Sequence, residues 1–293
     1  MLDLNGITFL TFVRLDNEER KNNLKAMHSF YRNRCENYQH IFIEDDKEPK
    51  VTNTLNLGKE DVVVFSKSDT EWRKGEGFNK GIKLAKTNIL NFIDTDIIID
   101  PNQLLETAKL LEKDDNAGFI YPYNGLFLCA EKPLKNKFCK TLNYEELLVV
   151  PEAVELYTGI KDNNFTDLWM GIHFQKMSYV NKVYNDILIG HMASKGGCVM
   201  GRKDNIVKCN GYNPNFCGWG YEDDEVPLRV SKLGFNVTRV NGKGKVIWHL
   251  HHFDGKGSEK EKQPFYKKNE SIMHFVSGCS SYKLKEYIKT WVM

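Results

Sequence analysis

The segment "NILNFIDTDIIID", residues 88–100, decides the fold class of this chain. Its apolar residues are typical of a buried strand, and the strand runs into two carboxylates, Asp94 and Asp96. Residues two apart in an extended backbone point the same way, so a shared cation is one way to relieve their repulsion. Oxygen ligands of this kind favour Mg²⁺ or Mn²⁺. The alternative is a solvated loop after a strand, because Asp-x-Asp is a common tripeptide.

The first hundred residues repeat the pattern of a short apolar strand followed by polar residues. Strand-like segments at 7–14, 40–45 and 61–65 alternate with helix-like segments at 17–33 and 75–87. This alternation predicts an α/β fold with a mostly parallel central sheet flanked by helices. Ligands of such sheets bind beyond the carboxyl ends of the strands, where the sequence has these polar residues: Arg14, Asp16, Glu44, Asp45, Asp94 and Asp96.

The composition limits the class of protein. The chain has 293 residues, enough for one large α/β domain or two small ones, and its net charge of +2 gives no indication of a nucleic-acid partner. We find neither a signal sequence nor a membrane-spanning stretch, so we expect a cytoplasmic protein or a chain whose anchor is missing. The seven cysteines form no Cys-x-x-Cys pair, which predicts reduced thiols.

The segment "GWGYEDDEV", residues 218–226, concentrates four carboxylates directly after a tryptophan. Four adjacent carboxylates cannot all be buried and ionised, so in a buried site some must bind a metal, hydroxyl groups or protons. Gly218 and Gly220 allow the backbone to approach a ligand, and Trp219 offers a flat face for a sugar ring. An acidic helix N-terminus would also explain the charges, but it would not explain a tryptophan held between two glycines.

The segment "WHLHH", residues 248–252, brings three histidines to the end of an apparent strand. His249 and His251 would share one face of that strand, and an imidazole beside carboxylate oxygens suits Mn²⁺. We therefore predict that His249 completes a metal site with Asp96. The alternative is that the histidines, including His252, are ordinary core or surface residues.

Four segments together carry a resemblance to a known family. In chain order they are "GFNKG", "NFIDTD", "GGCVMGRKDNIVKCNGYNPNFCGWGYEDDEVPLRVSKLGF" and "VIWH". In order, spacing and residue type they resemble the GT-A glycosyltransferases, specifically the β-1,4-galactosyltransferase branch and its bacterial chondroitin-polymerase-like relatives. The resemblance covers roughly residues 72–100 and 194–252. It implies a GT-A, Rossmann-like fold and a metal-dependent, inverting transfer of a hexose or N-acetylhexosamine from a UDP-sugar to a hydroxyl of a glycan or glycoconjugate.

The resemblance also implies roles for individual residues on the donor side. Those implied to bind the nucleotide are Arg14, Asp16, Glu44, Phe78, Asn79, Lys80 and Asp94. Asp96 and His249 are implied to bind Mn²⁺ or Mg²⁺. The family's methionine ligand falls at Val246, which cannot coordinate a metal, so water or His251 is expected to take its place.

On the acceptor side, Asp223 is implied to be the general base that removes the proton of the acceptor hydroxyl. Residues implied to contact the donor or acceptor sugar are Trp219, Glu222, Asp224, Gly197, Ser194 and Tyr221. A family glycine falls at Tyr221, which is expected to narrow the acceptor side. The small Ser194 is expected to leave room for an acetamido group.

The organisation predicted from the sequence has a catalytic domain at residues 1–255, in which 123–195 are an insertion on the acceptor side, and a basic, helical extension at 256–293. Three other functions stay open. They are a retaining transferase similar to the polypeptide N-acetylgalactosaminyltransferases, a catalytically silent module that binds UDP-sugar, and a metal-dependent hydrolase or nuclease.

Overall fold

The computed structural model of the chain describes residues 1–69, 71–147, 187–191, 194–242, 244–252 and 264–293. The strands of this part are β1 (Leu2–Asp3), β2 (Ile7–Val13), β3 (Cys35–Glu36), β4 (Gln39–Asp46), β5 (Asp61–Lys67), β6 (Ile89–Ile93), β7 (Ile97–Ile98), β8 (Ala117–Tyr121), β9 (Phe127–Ala130), β10 (Ile187–His191), β11 (Cys198–Arg202), β12 (Asn236–Arg239) and β13 (Ile247–Leu250). They form a seven-stranded central sheet, a four-stranded sheet and a short two-stranded sheet.

Helices cover the central sheet and follow its strands along the chain. They are α1 (Glu18–Arg34), α2 (Val51–Thr54), α3 (Lys74–Leu84), α4 (Pro101–Lys113), α5 (Lys132–Thr141), α6 (Lys203–Lys208), α7 (Glu222–Lys232), α8 (Tyr266–Gly278) and α9 (Ser281–Tyr287), with 3₁₀ turns at Tyr144–Glu146 and Ile288–Thr290. Local sequence fixes several starts. Asn17 caps α1 by accepting a hydrogen bond from the Arg20 amide, and Asp100 caps α4 in front of a proline at its first turn.

The central sheet has the strand order β12-β8-β11-β6-β2-β4-β5. All its pairings are parallel except those of β11, which runs antiparallel to both β6 and β8. The predicted α/β fold with a mostly parallel sheet flanked by helices is therefore confirmed.

Strand β2 explains why the sheet has a core on each face. Ile7 and Phe9 belong to one buried cluster, whereas Leu10 and Phe12 belong to the other. Side chains of a strand point alternately to opposite faces, so a fully apolar strand needs cover on both sides. The first cluster includes residues of α1 and α4, and the second includes residues of α3, α6 and α7.

The predicted continuous strand at 88–100 is broken in the structure. Strand β6 ends at Ile93, a turn contains Asp94 and Asp96, and β7 begins at Ile97 in the four-stranded sheet. The Asp94 amide donates to the Gly197 carbonyl oxygen at 2.9 Å, which fixes the turn against the start of β11. The two carboxylates are therefore not held side by side by an extended backbone, and each meets different partners.

The described part of the 123–195 region contains β9, α5 and β10, and β9 extends the four-stranded sheet beside β13. Residues 148–186 and 192–193 lie outside the described residues, and so does most of the predicted insertion. Helix α8, from the predicted extension, contacts α7. Among the described helices, none has both the length and the apolar character needed to cross a bilayer.

Candidate functional site

Asp96, His249 and His252 form a compact group of potential metal ligands. Strand β13 pairs antiparallel with β7, so that His249 lies opposite Ile97, and the Leu250 amide donates to the Asp96 carbonyl oxygen at 2.8 Å. This pairing brings the end of β13 to the turn after β6. The distances from Asp96 Oδ2 are 2.9 Å to His252 Nε2 and 3.5 Å to His249 Nε2. One ligand atom from each of the three residues lies within 4.8 Å of the others.

The donor set of this group fits a divalent cation of the Mn²⁺ type. One carboxylate oxygen and two imidazole nitrogens are ligands that Mn²⁺ accepts, and three protein ligands leave further positions for substrate oxygens. Without a cation, burial favours the neutral acid at Asp96, but the two imidazoles outweigh it and hold its pKa well below the usual range. For His249, burial lowers the pKa, but Asp96 outweighs it and raises the value to about 10. The carboxylate is thus paired with the positive charge of His249, which a metal ion would supply in place of the proton on that imidazole.

His251 was expected to be a further metal ligand, but it lies outside the group formed by Asp96, His249 and His252. Strand β13 ends at Leu250, so His251 no longer shares the face of His249, and its amide donates to the Ala130 carbonyl oxygen. Its Nδ1 lies 3.6 Å from Glu131 Oε1, near the start of α5. His252 takes the place beside Asp96 that the alternation of a longer strand would have given to His251.

A largely buried lysine that the sequence analysis missed joins the two acidic segments. The Nζ atom of Lys74 lies 3.2 Å from Asp94 Oδ1 and 3.2 Å from Asp223 Oδ1. Burial lowers the pKa of Lys74, but the Asp223 and Asp94 carboxylates outweigh it and raise the value well above the usual range. The end of β6 and the first turns of α3 and α7 therefore meet at one cleft.

Three of the four carboxylates at the start of α7 face this cleft. Asp223 contacts Lys74, and Asp224 Oδ1 lies 3.1 Å from Lys195 Nζ. Glu222 accepts a hydrogen bond from the Gly220 amide at 3.0 Å. Burial, followed by the neighbouring Asp223 charge, raises the pKa of Glu222 to about 7.

The fourth carboxylate, Glu225, belongs to the core. Its Oε1 accepts from Arg229 Nε at 2.7 Å, and both side chains are fully buried. Arg229 also donates to the carbonyl oxygens of Cys209 and Gly211. This pair fixes α7 to the segment that follows α6. Of the four adjacent carboxylates, Glu225 therefore stabilises the fold, and the other three face the cleft.

The loop before α7 carries the predicted tryptophan. Trp219 is 39% exposed, and its ring is nearly parallel to that of Tyr266 on α8, at 11° and 6.4 Å between centroids. Asn269, also on α8, is fully buried and bonds both the amide and the carbonyl oxygen of Cys217. Helix α8 therefore positions the loop.

Tyr221 occupies a glycine-like position in this loop. Its φ of 68° lies in the left-handed region, which a non-glycine residue adopts only with strain. Its hydroxyl lies 2.9 Å from the Tyr266 hydroxyl and donates to Glu270 at 3.2 Å. These contacts compensate for the strain and hold the ring on the side of α8.

Gly197 and Ser194 lie at the entrance to β11, near Asp223. A Cβ at Gly197 would meet Ile97, Phe127 and Ile247 side chains at 3.1 Å, and its φ of +83° also favours glycine. The Ser194 Oγ accepts from the Gly196 amide at 3.3 Å, and a Cβ at Gly196 would lie 3.1 Å from Asp223 Oδ2. The Ser194 segment therefore forms one wall of the cleft beside Asp223.

Apart from Asp94, which contacts Lys74, the residues predicted for the nucleotide separate into two groups. Arg14 lines a cavity of about 760 Å³ together with Lys47, Arg73 and Lys268. The Arg14 guanidinium also binds Asp45 Oδ2 at 2.7 Å. Asp16 is an exposed residue near Arg20, and Lys80 donates to Ser66 Oγ.

Phe78, Asn79 and Glu44 form the second group, because they are engaged in the interior. Phe78 is 2% exposed and packs against the rings of Phe92 and Tyr212. Asn79 bonds both the amide and the carbonyl oxygen of Tyr212, and Glu44 Oε1 accepts from the amides of Lys50 and Val51 at the start of α2. The resemblance implies that Phe78 stacks on uracil and that Asn79 and Glu44 contact the base. The structure disagrees, because all three side chains are buried and engaged with neighbouring residues.

Two family models match separate stretches of the chain. The model of glycosyl transferase family 2 matches residues 17–150, and the model described as the N-terminal domain of galactosyltransferase matches residues 189–253. These stretches contain the strand-end aspartates and the Trp219–His252 region, respectively.

Curated relatives match the same regions. Beta-1,4-galactosyltransferase 6 of Mus musculus is 49% identical over 49 residues, 16% of this chain and 13% of that protein. Xylosylprotein 4-beta-galactosyltransferase of Caenorhabditis elegans is 33% identical over 79 residues, 26% of each chain. Chondroitin synthase of Escherichia coli is 23% identical over 198 residues, 66% of this chain and 27% of that protein. The chain thus spans about a quarter or less of the length of these relatives.

Solved structures share the fold. Mannosyltransferase PcManGT from Pyrobaculum calidifontis has a TM-score of 0.52 and 10% identity, and the match covers 97% of this chain and 68% of the mannosyltransferase. GalNAc-T7 has a TM-score of 0.53 and 12% identity, and the match covers 86% of this chain and 45% of GalNAc-T7. The family models, the relatives and the fold together confirm the resemblance predicted from the motifs: this chain is similar to GT-A glycosyltransferases of the β-1,4-galactosyltransferase-like and chondroitin-polymerase-like branch, and its classification as a glycosyltransferase is supported.

Proposed function

We propose that this chain is a Mn²⁺-dependent, inverting glycosyltransferase that moves a hexose or N-acetylhexosamine from a UDP-sugar to a hydroxyl of an acceptor glycan or glycoconjugate. The observation that carries the proposal is the contact of Lys74 Nζ with both Asp94 and Asp223. It joins the turn that holds the candidate metal ligand Asp96 to the helix that holds the candidate base. In the proposed direct displacement, the metal-bound leaving group and the base lie on opposite sides of the transferred sugar.

Asp96, His249 and His252 would hold the cation. A divalent cation at these ligands supplies positive charge for the diphosphate leaving group, the kind of electrostatic stabilisation that provides much of an enzyme's acceleration. Two solved structures with this fold are complexes with Mn²⁺, the mannosyltransferase with GDP-Man and GalNAc-T7 with UDP and GalNAc. These complexes support a similar cofactor here.

The cavity beside Arg14 is suited to the nucleotide part of the donor. Its lining includes four basic side chains, Arg14, Lys47, Arg73 and Lys268, which attract a diphosphate, and three acidic ones, Asp69, Glu71 and Glu76. At about 760 Å³ its volume is in the range of small-molecule sites. Its lining residue Arg73 directly precedes Lys74 in the chain.

Asp223 is the candidate base because its carboxylate faces the cleft and is held in position by Lys74. It would accept the proton of the acceptor hydroxyl as that oxygen attacks the anomeric carbon on the face opposite UDP. The attack forms the new glycosidic bond, breaks the bond to UDP and inverts the configuration. The partly exposed Trp219 ring would support the acceptor sugar.

A donor and acceptor screen tests the function. The purified chain is incubated with Mn²⁺ and UDP-glucose, UDP-galactose, UDP-N-acetylglucosamine or UDP-N-acetylgalactosamine, with and without mono- and oligosaccharide acceptors. We expect acceptor-stimulated release of UDP, its loss in EDTA, and a product whose linkage is inverted by proton NMR. Release of UDP from no donor would contradict the proposal, cleavage that ignores every acceptor would identify a hydrolase, and a retained linkage would identify a retaining transferase.

A further inference from the structure

We propose that Lys74 is a donor-binding residue whose ammonium group donates a hydrogen bond to a neutral oxygen substituent, a hydroxyl or an acetamido carbonyl, of the sugar being transferred. This inference rests on the proposed function and deepens it. Lys74 belongs to none of the motifs that carry the resemblance, and it is identified by its position between Asp94 and Asp223.

The order of groups across the cleft indicates that Lys74 lies beside the transferred sugar. In a direct displacement, the transferred sugar lies between the metal-bound diphosphate and the base. The Lys74 Nζ lies 3.2 Å from the carboxylate of Asp94, next to the candidate metal turn, and 3.2 Å from that of Asp223, the candidate base. A group that contacts both carboxylates is therefore at the edge of the space that the sugar would occupy.

The chemistry of the side chain fits this contact. An ammonium group has three N–H donors, and the two carboxylates use two of them. The third can be donated to a sugar oxygen at little further cost, because the charge is already removed from bulk water and neutralised. Hydrogen bonds that involve a charged group are stronger than neutral ones. The surrounding carboxylates, including Glu222, would repel a sugar acid, so neutral donor sugars are favoured.

The position of Lys74 is energetically unfavourable for a lysine with only a structural role. It is the first residue of α3, where the helix dipole disfavours positive charge. The side chain is largely buried, at 17% exposure, and it packs over the Phe78 ring at 5.8 Å. Neither local helix stability nor desolvation favours a lysine here, and charged groups held in this way are concentrated at binding sites.

Binding of UDP and of UDP-sugars separates sugar recognition from nucleotide recognition. Dissociation constants are measured by calorimetry at saturating Mn²⁺ for UDP and for the four UDP-sugars named above. The proteins are the wild type, Lys74→Met, which keeps a long unbranched side chain without the charged group, and Lys83→Met, an exposed position on the same helix. Thermal melts establish that each variant is folded.

We expect Lys74→Met to weaken binding of the best UDP-sugar about tenfold to a hundredfold, while UDP binding changes by less than about threefold. Lys83→Met should leave both constants unchanged. Equal losses for UDP and UDP-sugar, or no loss for either, would overturn the role of Lys74 while wild-type transfer leaves the proposed function intact. A wild-type protein that binds none of the UDP-sugars would overturn both.

Discussion

The Nε2 atom of His252 lies 2.9 Å from the Oδ2 atom of Asp96, closer than the Nε2 atom of His249 at 3.5 Å. If these atoms share a cation, loss of either imidazole removes one of three protein ligands. We expect His252→Ala and His249→Ala each to weaken Mn²⁺ binding by at least the roughly 10–100-fold that loss of a supporting residue causes at metal sites. Mn²⁺ titration followed by electron paramagnetic resonance measures the effect.

His251→Ala is the matched control for this prediction. His251 is the neighbour of His252 in the chain but faces Glu131, so its loss should leave Mn²⁺ binding unchanged. A larger loss of affinity in His251→Ala than in His252→Ala would contradict the assignment of ligands.

Asp223→Asn should separate catalysis from donor binding. The amide keeps the size of the side chain but cannot accept the acceptor's proton, so we expect kcat to fall about 10²–10⁴-fold. UDP-sugar binding should persist, because the metal ligands and the Arg14 cavity are unchanged. Steady-state kinetics and calorimetry give the two values. Asp115→Asn, whose side chain is 95% exposed, should keep full activity, and an equally active Asp223→Asn would eliminate Asp223 as the base.

The pKa of Glu222, raised to about 7, predicts a pH-dependent stability of the metal-free protein. The ordinary pKa of a glutamate is about 4.3, so between that value and about 7 the folded state binds more protons than the unfolded state. The contribution of Glu222 to stability is therefore complete below the lower value and is lost as the pH rises through 7. Thermal melts in EDTA should show that Glu222→Gln flattens the decline of Tm between pH 5 and 8. Parallel profiles for the variant and the wild type would refute the assignment.

The buried pair of Arg229 and Glu225 predicts a large effect on stability. Arg229→Met leaves the Glu225 carboxylate buried without its partner, and we expect a loss of about 3–5 kcal/mol in the free energy of unfolding. Urea denaturation measures this loss. The exposed pair of Lys289 and Glu286 provides the comparison, because Lys289→Met should cost less than about 1 kcal/mol. Similar losses in the two variants would show that burial does not control the energy of these pairs.

The sequence predicted the central sheet well, because strands and helices depend on local patterns. Apolar strands that end in polar residues identified the carboxyl edge, and Asp94, Asp96 and Asp223 lie there. The roles of Phe78 and Asn79 were implied by the resemblance, and the structure places both side chains in the interior. They occupy the buried face of α3, and their contacts with Tyr212 connect residues more than a hundred positions apart, which no local pattern reveals.

The residues missed by the sequence analysis depend on tertiary contacts. Lys74 is one lysine among many in the sequence, and only the packing of α3 against α7 gives it two carboxylate neighbours. His252 required knowledge of where β13 ends, since a strand two residues longer would have presented His251 instead. Strand and helix ends are the least certain part of any assignment from sequence, and the candidate metal ligands lie at such an end.

The bonds between Asn269 and Cys217 make α8 and the Trp219 loop a single mutational unit. Substitutions in residues in direct contact are not additive, so changes on the helix and in the loop will alter one another's effects. Directed evolution toward a new acceptor should therefore randomise positions 217–221 and 265–270 in the same library, because successive single-site rounds would discard pairs that succeed only together.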